Sequence, residues 1–337
     1  MLRLGLFVCF VVTVSGLEPV EDTRYYVELV NSANTTWTAG YNFENSSVEY
    51  LRQFLGTEVN QFQHLLPNFE SAGGDEDIEI PTSFDASKKW PKCPHIKHVR
   101  DQSACGSCWA VSLASVLTDR LCIASGGTFR APMSAEYLMS CCAECSNGNG
   151  CQGGNHAVAW VFAKTQGIVT GGDYHSHIGC QPYQLQPCGH SADSKRVSCG
   201  ELLPSVKAPV CENTKCLNPF YKKNTFSKDH KFVKEAYVIT NDEKAIQREI
   251  LQRGPVAAGF VVYADFPSYK SGVYHRMSET AVGGHGVKII GWGTEGGVDY
   301  WLVVNSWNTD WGEKGLFKIR RMTAGVDFEQ MITFGVV

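Results

Sequence analysis

Apolar residues fall along this chain in two regimes. From Ser107 they recur at three- and four-residue spacing, at Trp109, Leu113, Val116, Leu117 and Leu121, which predicts a helix with one stripe turned inward. A second helix is expected after Ser134, a suitable N-cap with Glu136 and Tyr137 in the first turn, and a third over 155–164. A fourth runs over 243–253 and is stopped by Gly254-Pro255. Beyond it, short β-branched and aromatic runs separated by glycines (256–262, 286–292, 300–304 and 316–319) read as strands. A helical half followed by a sheet-rich half predicts an α+β fold with a cleft between the halves.

The ends of the chain add organisation. Arg3, the apolar run Leu4 to Val14 and the small residues Val14-Ser15-Gly16 read as a secretory leader over 1–16. That run is shorter than the about 20 residues a membrane span needs, and no later segment is apolar enough. Residues 17–79 then lack cysteine, carry sequons at Asn34 and Asn45, and end in the small, acidic stretch Ser71 to Asp77, of the kind that stays exposed and is readily cut. A propeptide over 17–79 and a mature body over 80–337 are expected, in preference to a permanent N-terminal domain. With 337 residues, 43% hydrophobic and 19% charged, the chain is globular, and a net charge of −4 argues against nucleic acid as a partner.

Of 14 cysteines, Cys9 lies in the leader, so an odd number enters an oxidising compartment where pairing is the rule. One free thiol is what a secreted cysteine enzyme shows, although an accidental free cysteine gives the same parity. Cys108, in Cys105-Gly106-Ser107-Cys108-Trp109, is the candidate. It opens the predicted helix, whose positive end favours thiolate, and Gln102 lies just upstream as an amide donor for an oxyanion. A nucleophilic cysteine needs a base and a group to orient that base. His285, flanked by glycines ahead of a strand, and Asn305, at the end of the next strong strand, fill those roles, with Trp307 and Trp311 to shield their hydrogen bond.

With these residues, the run Asn305 to Gly312 and the stretch Ile80 to Asp85, the chain resembles the papain family of cysteine proteases. Thr36 to Phe43, the paired Cys141-Cys142 and an insertion over 180–216 resemble its cathepsin B-like branch. The resemblance implies a papain-like two-domain fold, helical on the left and β-barrel-like on the right, made as a zymogen. It implies Cys108 as nucleophile, His285 as base, Asn305 as orienter, and an oxyanion hole of Gln102 with the backbone N–H of Cys108. Gly153 and Gly154 would present backbone to substrate, Trp307 would wall the leaving-group side, and Glu329 would lie at the base of the S2 pocket, accepting arginine or apolar residues at P2.

The insertion resembles an occluding loop whose two adjacent histidines receive a substrate carboxylate. Here His190 is followed by Ser191, so weakened dipeptidyl-carboxypeptidase activity and favoured endopeptidase activity are expected, with His190 placed to pair with Asp101. Disulfides Cys93–Cys122, Cys105–Cys151, Cys141–Cys211, Cys142–Cys145, Cys180–Cys216 and Cys188–Cys199 are implied, with Ala324 standing where relatives carry a further free cysteine. No cofactor or metal is expected; a zinc reading of Cys141, Cys142, Cys145 and Cys151 fits an oxidising compartment poorly. Ser103-Ala104 and Gln152 depart from the family pattern beside the cleft. The implied partners are peptide and protein substrates and the chain's own propeptide, in a monomer bound for the lysosome or an equivalent acidic compartment, or secreted. A non-catalytic binding protein is the alternative, disfavoured because Cys108, His285, Asn305 and Gln102 are all present.

Overall fold

The computed structural model describes residues 22–43, 46–59, 63–69, 78–146, 148–203, 205–322, 326 and 328–337. The leader, Asn45, the acidic stretch 71–77 and Ala324 lie outside the described residues. The N-terminal segment supplies α1 (Thr23–Ser32), β1 (Trp37–Ala39) and α2 (Val48–Arg52). After β2 (Phe84–Asp85) and α3 (Ala86–Lys89) come the helices α4 (Cys108–Ala124), α5 (Ala135–Cys141) and α6 (His156–Thr165). The insertion holds β3 (Cys188–Gly189), β4 (Val197–Ser198) and α7 (Cys199–Leu202), followed by α8 (Phe226–Asp229). The C-terminal half comprises β5 (Glu235–Ile239), α9 (Glu243–Arg253), β6 (Val256–Tyr263), β7 (Tyr269–Tyr274), β8 (Ala281–Glu295), β9 (Val298–Val304), β10 (Leu316–Arg320) and β11 (Ile332–Val336).

The expected helices are in place, with Ser134 capping α5 through Tyr137 N and Asn155 capping α6 through Ala157 N and Val158 N. One expectation changes. Instead of turning a single stripe inward, α4 is buried on nearly every face, because it lies between the helices α5 and α6 and the strands β6, β8 and β11. Its polar residues tolerate this by bonding back along the helix: Ser112 Oγ to Cys108 O at 2.8 Å, Ser115 Oγ to Val111 O at 2.7 Å and Thr118 Oγ1 to Ala114 O at 2.7 Å.

The strands form a mostly antiparallel sheet in the order β1-β7-β10-β9-β8-β6-β11-β5, with β2 also on β8 and β10 parallel to β7. The N-terminal segment thus adds an edge strand, Trp37 opposite Gly272. Strand β8 begins earlier than its β-branched run, so His285 sits within the ladder, opposite Phe260, and not ahead of it. Glycines carry this early part because backbone from the N-terminal segment packs on it: a Cβ on Gly284 would lie 1.9 Å from Thr57 O.

An ion pair fastens the two halves. Lys288 Nζ on β8 lies 2.7 Å from Asp119 Oδ2 on α4 and 2.9 Å from His95 O, with both charged side chains almost wholly buried. Burial pushes Asp119 up and Lys288 down from their ordinary ranges, each opposed by the charge of the other. Lys288→Met would leave Asp119 unpaired, and chemical denaturation is expected to show a loss of about 3 to 5 kcal/mol. The loss should shrink toward acid pH, where Asp119 takes up a proton.

Candidate active site

Cys108 is the first residue of α4 and the only free cysteine among the described residues. The loop before it is pinned by the disulfide Cys105–Cys151 and by Gly106 N donating to Cys151 O at 2.9 Å. A side chain at Gly106 would lie 2.7 Å from that same carbonyl, so only glycine lets the loop pass. Burial pushes the Cys108 thiol up, but the charge of His285 and its hydrogen bond, with a smaller contribution from Thr57, outweigh burial and hold it at about 7.

His285 Nε2 donates to Asn305 Oδ1 at 2.7 Å, and Nδ1 makes no conventional hydrogen bond among the described residues. The proton on Nε2 is thereby fixed and the other nitrogen is left for the sulfur side. Trp307 stacks on the imidazole with centroids 4.6 Å apart, and Trp311 packs edge-on behind Trp307 at 5.2 Å. Trp307 therefore shields the His285–Asn305 bond directly and Trp311 only through it.

Gln102 is oriented by Ser306, which lies in the run Asn305 to Gly312 and has no chemical signature of its own in the sequence. Ser306 Oγ donates to Gln102 Oε1 at 2.7 Å, and Gln102 N donates to Ser306 O at 2.9 Å. The side-chain Nε2 is thus turned outward, where it donates to Phe54 O at 2.8 Å as well as to Cys105 O at 2.7 Å. The amide expected to receive an oxyanion is thus occupied by a carbonyl of the N-terminal segment.

That segment lies across Cys108 and Gly154. Gly56 N approaches Cys108 Sγ at 3.3 Å and Thr57 Oγ1 approaches it at 3.2 Å. Gly154 N donates to Gly56 O at 2.7 Å, Glu58 N to Gly154 O at 3.0 Å and Thr57 N to Gly284 O at 3.0 Å. Gly154 presents its backbone to this segment, and its pairing with Thr57 is parallel. Gly153 has φ +116, and a Cβ there would lie 2.8 Å from Gly56 O, so its glycine serves both the turn and the approach.

The clasp between His190 and Asp101 is not formed, which corrects that expectation. His190 stacks on Phe43 at 4.1 Å and meets Phe54 edge-on at 4.7 Å. Burial among these rings pushes it down to about 3, so the neutral imidazole has no charge to offer a carboxylate. Asp101 instead accepts from Asn308 Nδ2 at 3.0 Å and Ser103 N at 2.7 Å. The loop is held by Arg196 and Ser194, which both bind Asp310. Glu329 is buried and accepts from Trp301 Nε1 at 2.9 Å and Met322 N at 2.7 Å.

The six disulfides join the pairs implied by the resemblance, including all four cysteines of the zinc reading. Among the described residues no cluster of His, Cys, Asp and Glu is arranged to hold a metal, and no helix is long and apolar enough to cross a membrane. Asn34 is exposed in the turn after α1.

Residues 80–336 match the papain family cysteine protease domain and residues 25–60 the peptidase family C1 propeptide. The chain is 46% identical over 328 residues to a cathepsin B-like cysteine proteinase of Schistosoma japonicum, covering 95% of this chain and 92% of that one. It is also 46% identical to cathepsin B-like cysteine proteinase 6 of Caenorhabditis elegans, covering 92% and 81% respectively. Among solved structures, procathepsin B S9 from Trypanosoma congolense superposes with a TM-score of 0.78 at 32% identity, covering 94% of this chain and 99% of the other.

Proposed function

The chain belongs to the papain family of cysteine proteases, as a cathepsin B-like zymogen inhibited by its own propeptide, and we propose that Cys108, His285 and Asn305 carry its chemistry. The observation behind this reading is the 2.7 Å bond from His285 to Asn305 beside the one free thiol among the described residues, a thiol held at about 7. The Cys108 thiolate attacks a peptide carbonyl, and the oxyanion is received by Gln102 Nε2 and the backbone N–H of Cys108. His285 Nδ1, which takes up the thiol proton as the thiolate forms, then gives it to the leaving amine, and water hydrolyses the acyl-enzyme. Labelling of Cys108 in the processed protein by an epoxide inhibitor of thiol proteases tests the assignment; an unlabelled, correctly processed enzyme would favour a binding protein.

The division into leader (1–16), propeptide (17–79) and protease (80–337), a monomeric state and a lysosomal or secreted destination belong to the same reading. Glycosylation at Asn34 and Asn45 completes it.

Two consequences concern specificity. Ser191 offers a substrate carboxylate only a neutral hydrogen bond, roughly half as strong as one from an imidazolium. A peptide and its C-terminal amide should therefore be cleaved at similar rates, within about threefold; a strong preference for the free acid would overturn this. The stretch containing Glu329 borders the Thr57 site, since Gly259 N donates to Met331 O at 3.0 Å and Met331 lies beside Thr57. Glu329→Gln is expected to lower kcat/KM for P2 arginine by about tenfold, with P2 leucine changed by less than about twofold. Equal losses for both substrates would argue for a purely structural carboxylate.

A further inference from the structure

Tyr183 belongs to the insertion, yet its hydroxyl reaches the loop that carries the nucleophile. It donates to Gln102 O at 3.0 Å and lies 2.7 Å from Ser107 Oγ. A phenol has one proton, which Gln102 O takes, so Ser107 Oγ–H is the donor to Tyr183. The side chain is buried, and burial pushes the phenol far above its ordinary range, so that proton stays in place. Both bonded residues border the expected oxyanion donors. Gln102 carries the side-chain amide, and Ser107 directly precedes Cys108, whose backbone N–H is the other donor.

Two further observations set this contact apart from ordinary core packing. Ser107 is the N-cap of α4, where a serine hydroxyl normally accepts from a first-turn N–H, but its side chain makes no cap bond. Tyr183 holds that hydroxyl instead, so the positive end of α4 is left without a side-chain cap beside Cys108. Tyr183 is itself fixed from both flanks. Its N donates to Gly172 O at 2.9 Å, and the next residue is gripped by the buried carboxylate of Glu136 on α5. Gln184 N donates to Glu136 Oε2 and Gln184 Nε2 to Glu136 Oε1, each at 3.0 Å. The hydroxyl thus hangs from backbone anchored outside both the catalytic loop and α4.

We propose that Tyr183 is a positioning residue for the oxyanion hole: its hydroxyl ties the Gln102 backbone to the Ser107 side chain and so fixes the separation of the two N–H donors that receive the oxyanion. Without that hydroxyl, Gln102 O loses this donor, and Ser107 Oγ is released to turn toward the helix N–H groups as an ordinary cap. The two donors then drift relative to each other, while His285 keeps its bond to Asn305. Because Tyr183 lies in the insertion, the same bond links the root of the insertion to the reacting centre. The inference rests on the protease reading and deepens it.

The test uses Tyr183→Phe, which keeps the ring and removes one oxygen, in the processed enzyme. For an amidated peptide kcat should fall about 10- to 100-fold, the scale of a displaced oxyanion donor, with KM within about twofold of wild type. A peptide aldehyde, whose adduct with the thiol carries an oxyanion, should bind more weakly by the same factor. Alkylation of Cys108 by iodoacetamide, which forms no oxyanion, should keep its rate and pH profile within about twofold. Ser107→Ala removes the other end of the bond and should show the same pattern at about three- to tenfold, so it carries the test if Tyr183→Phe does not fold. Unchanged kcat and aldehyde affinity overturn the proposal, and so does an equal loss in alkylation, which would make Tyr183 a general scaffold residue. If wild type hydrolyses no peptide and takes no epoxide label, the protease reading falls and this inference with it. An active wild type with an unaltered Tyr183→Phe sinks this inference alone.

Discussion

Cys108→Ala is expected to abolish peptide hydrolysis, by roughly 10⁶-fold in kcat, and to remove epoxide labelling, while the zymogen still folds. The chemistry has no second nucleophile on which to fall back: among the described residues every other cysteine is in a disulfide. In the zymogen the variant loses only weak contacts from Gly56 N and Thr57 Oγ1 to sulfur, so the unfolding free energy should change by about 1 kcal/mol. The companion variant His285→Ala separates nucleophile from base. Burial raises the thiol and His285 is the main influence that lowers it to about 7, so removing the imidazole leaves burial opposed only by the weaker hydrogen bonds of Thr57 and the Gly286 backbone. The thiol should then titrate above its ordinary value of 9.0, read as thiolate absorbance against Cys108→Ala. A thiol still near 7 in His285→Ala would assign its activation to the helix terminus and would displace His285 from its role.

The sequence showed much of this site because its chemistry lies in short contiguous signals. Cys108 is marked by its flanking motif, His285 by its glycines, and Asn305 by the strand it ends. What stayed hidden depends on contacts between distant segments. Ser306 acquires meaning only when β9 brings it against Gln102, more than 200 positions earlier. The N-terminal segment reads in sequence as a cysteine-free block, yet its described residues include the helices α1 and α2 and the edge strand β1, each only three to ten residues long. The all-round burial of α4 likewise depends on what surrounds it, and serines bonded to their own helix disguise a core helix as amphipathic. The His190–Asp101 clasp was read from residues of the enzyme body alone. In the zymogen, Phe43 and Phe54 of the propeptide hold that ring and leave it neither charge nor access to Asp101.

The contact of Gly56 with the loop before Cys108 predicts a way to open the zymogen without cutting it. A Cβ at Gly56 would lie 1.8 Å from Gly106 O, 2.7 Å from Gly106 C and 2.9 Å from Gly153 Cα. All three are backbone atoms, so no rotamer change relieves the clash, and Gly106 is itself anchored to Cys151. In Gly56→Ala the strap must therefore leave the cleft, giving up the bonds of Phe54 O, Gly56 O, Thr57 N and Glu58 N with the enzyme body. A loss of about 3 kcal/mol or more is the expected scale for overpacking against fixed backbone, which raises the open fraction about 100-fold. The rest of the propeptide stays docked, since β1 keeps its pairing with β7 and Trp37 Nε1 keeps its 3.0 Å bond to His275 O. Uncleaved Gly56→Ala should accordingly react with epoxide about 100-fold faster than wild type and hydrolyse small peptides at full length. An uncleaved Gly56→Ala chain as inert as wild type would mean that inhibition comes from the docked helix and edge strand, and that the strap over Cys108 is dispensable.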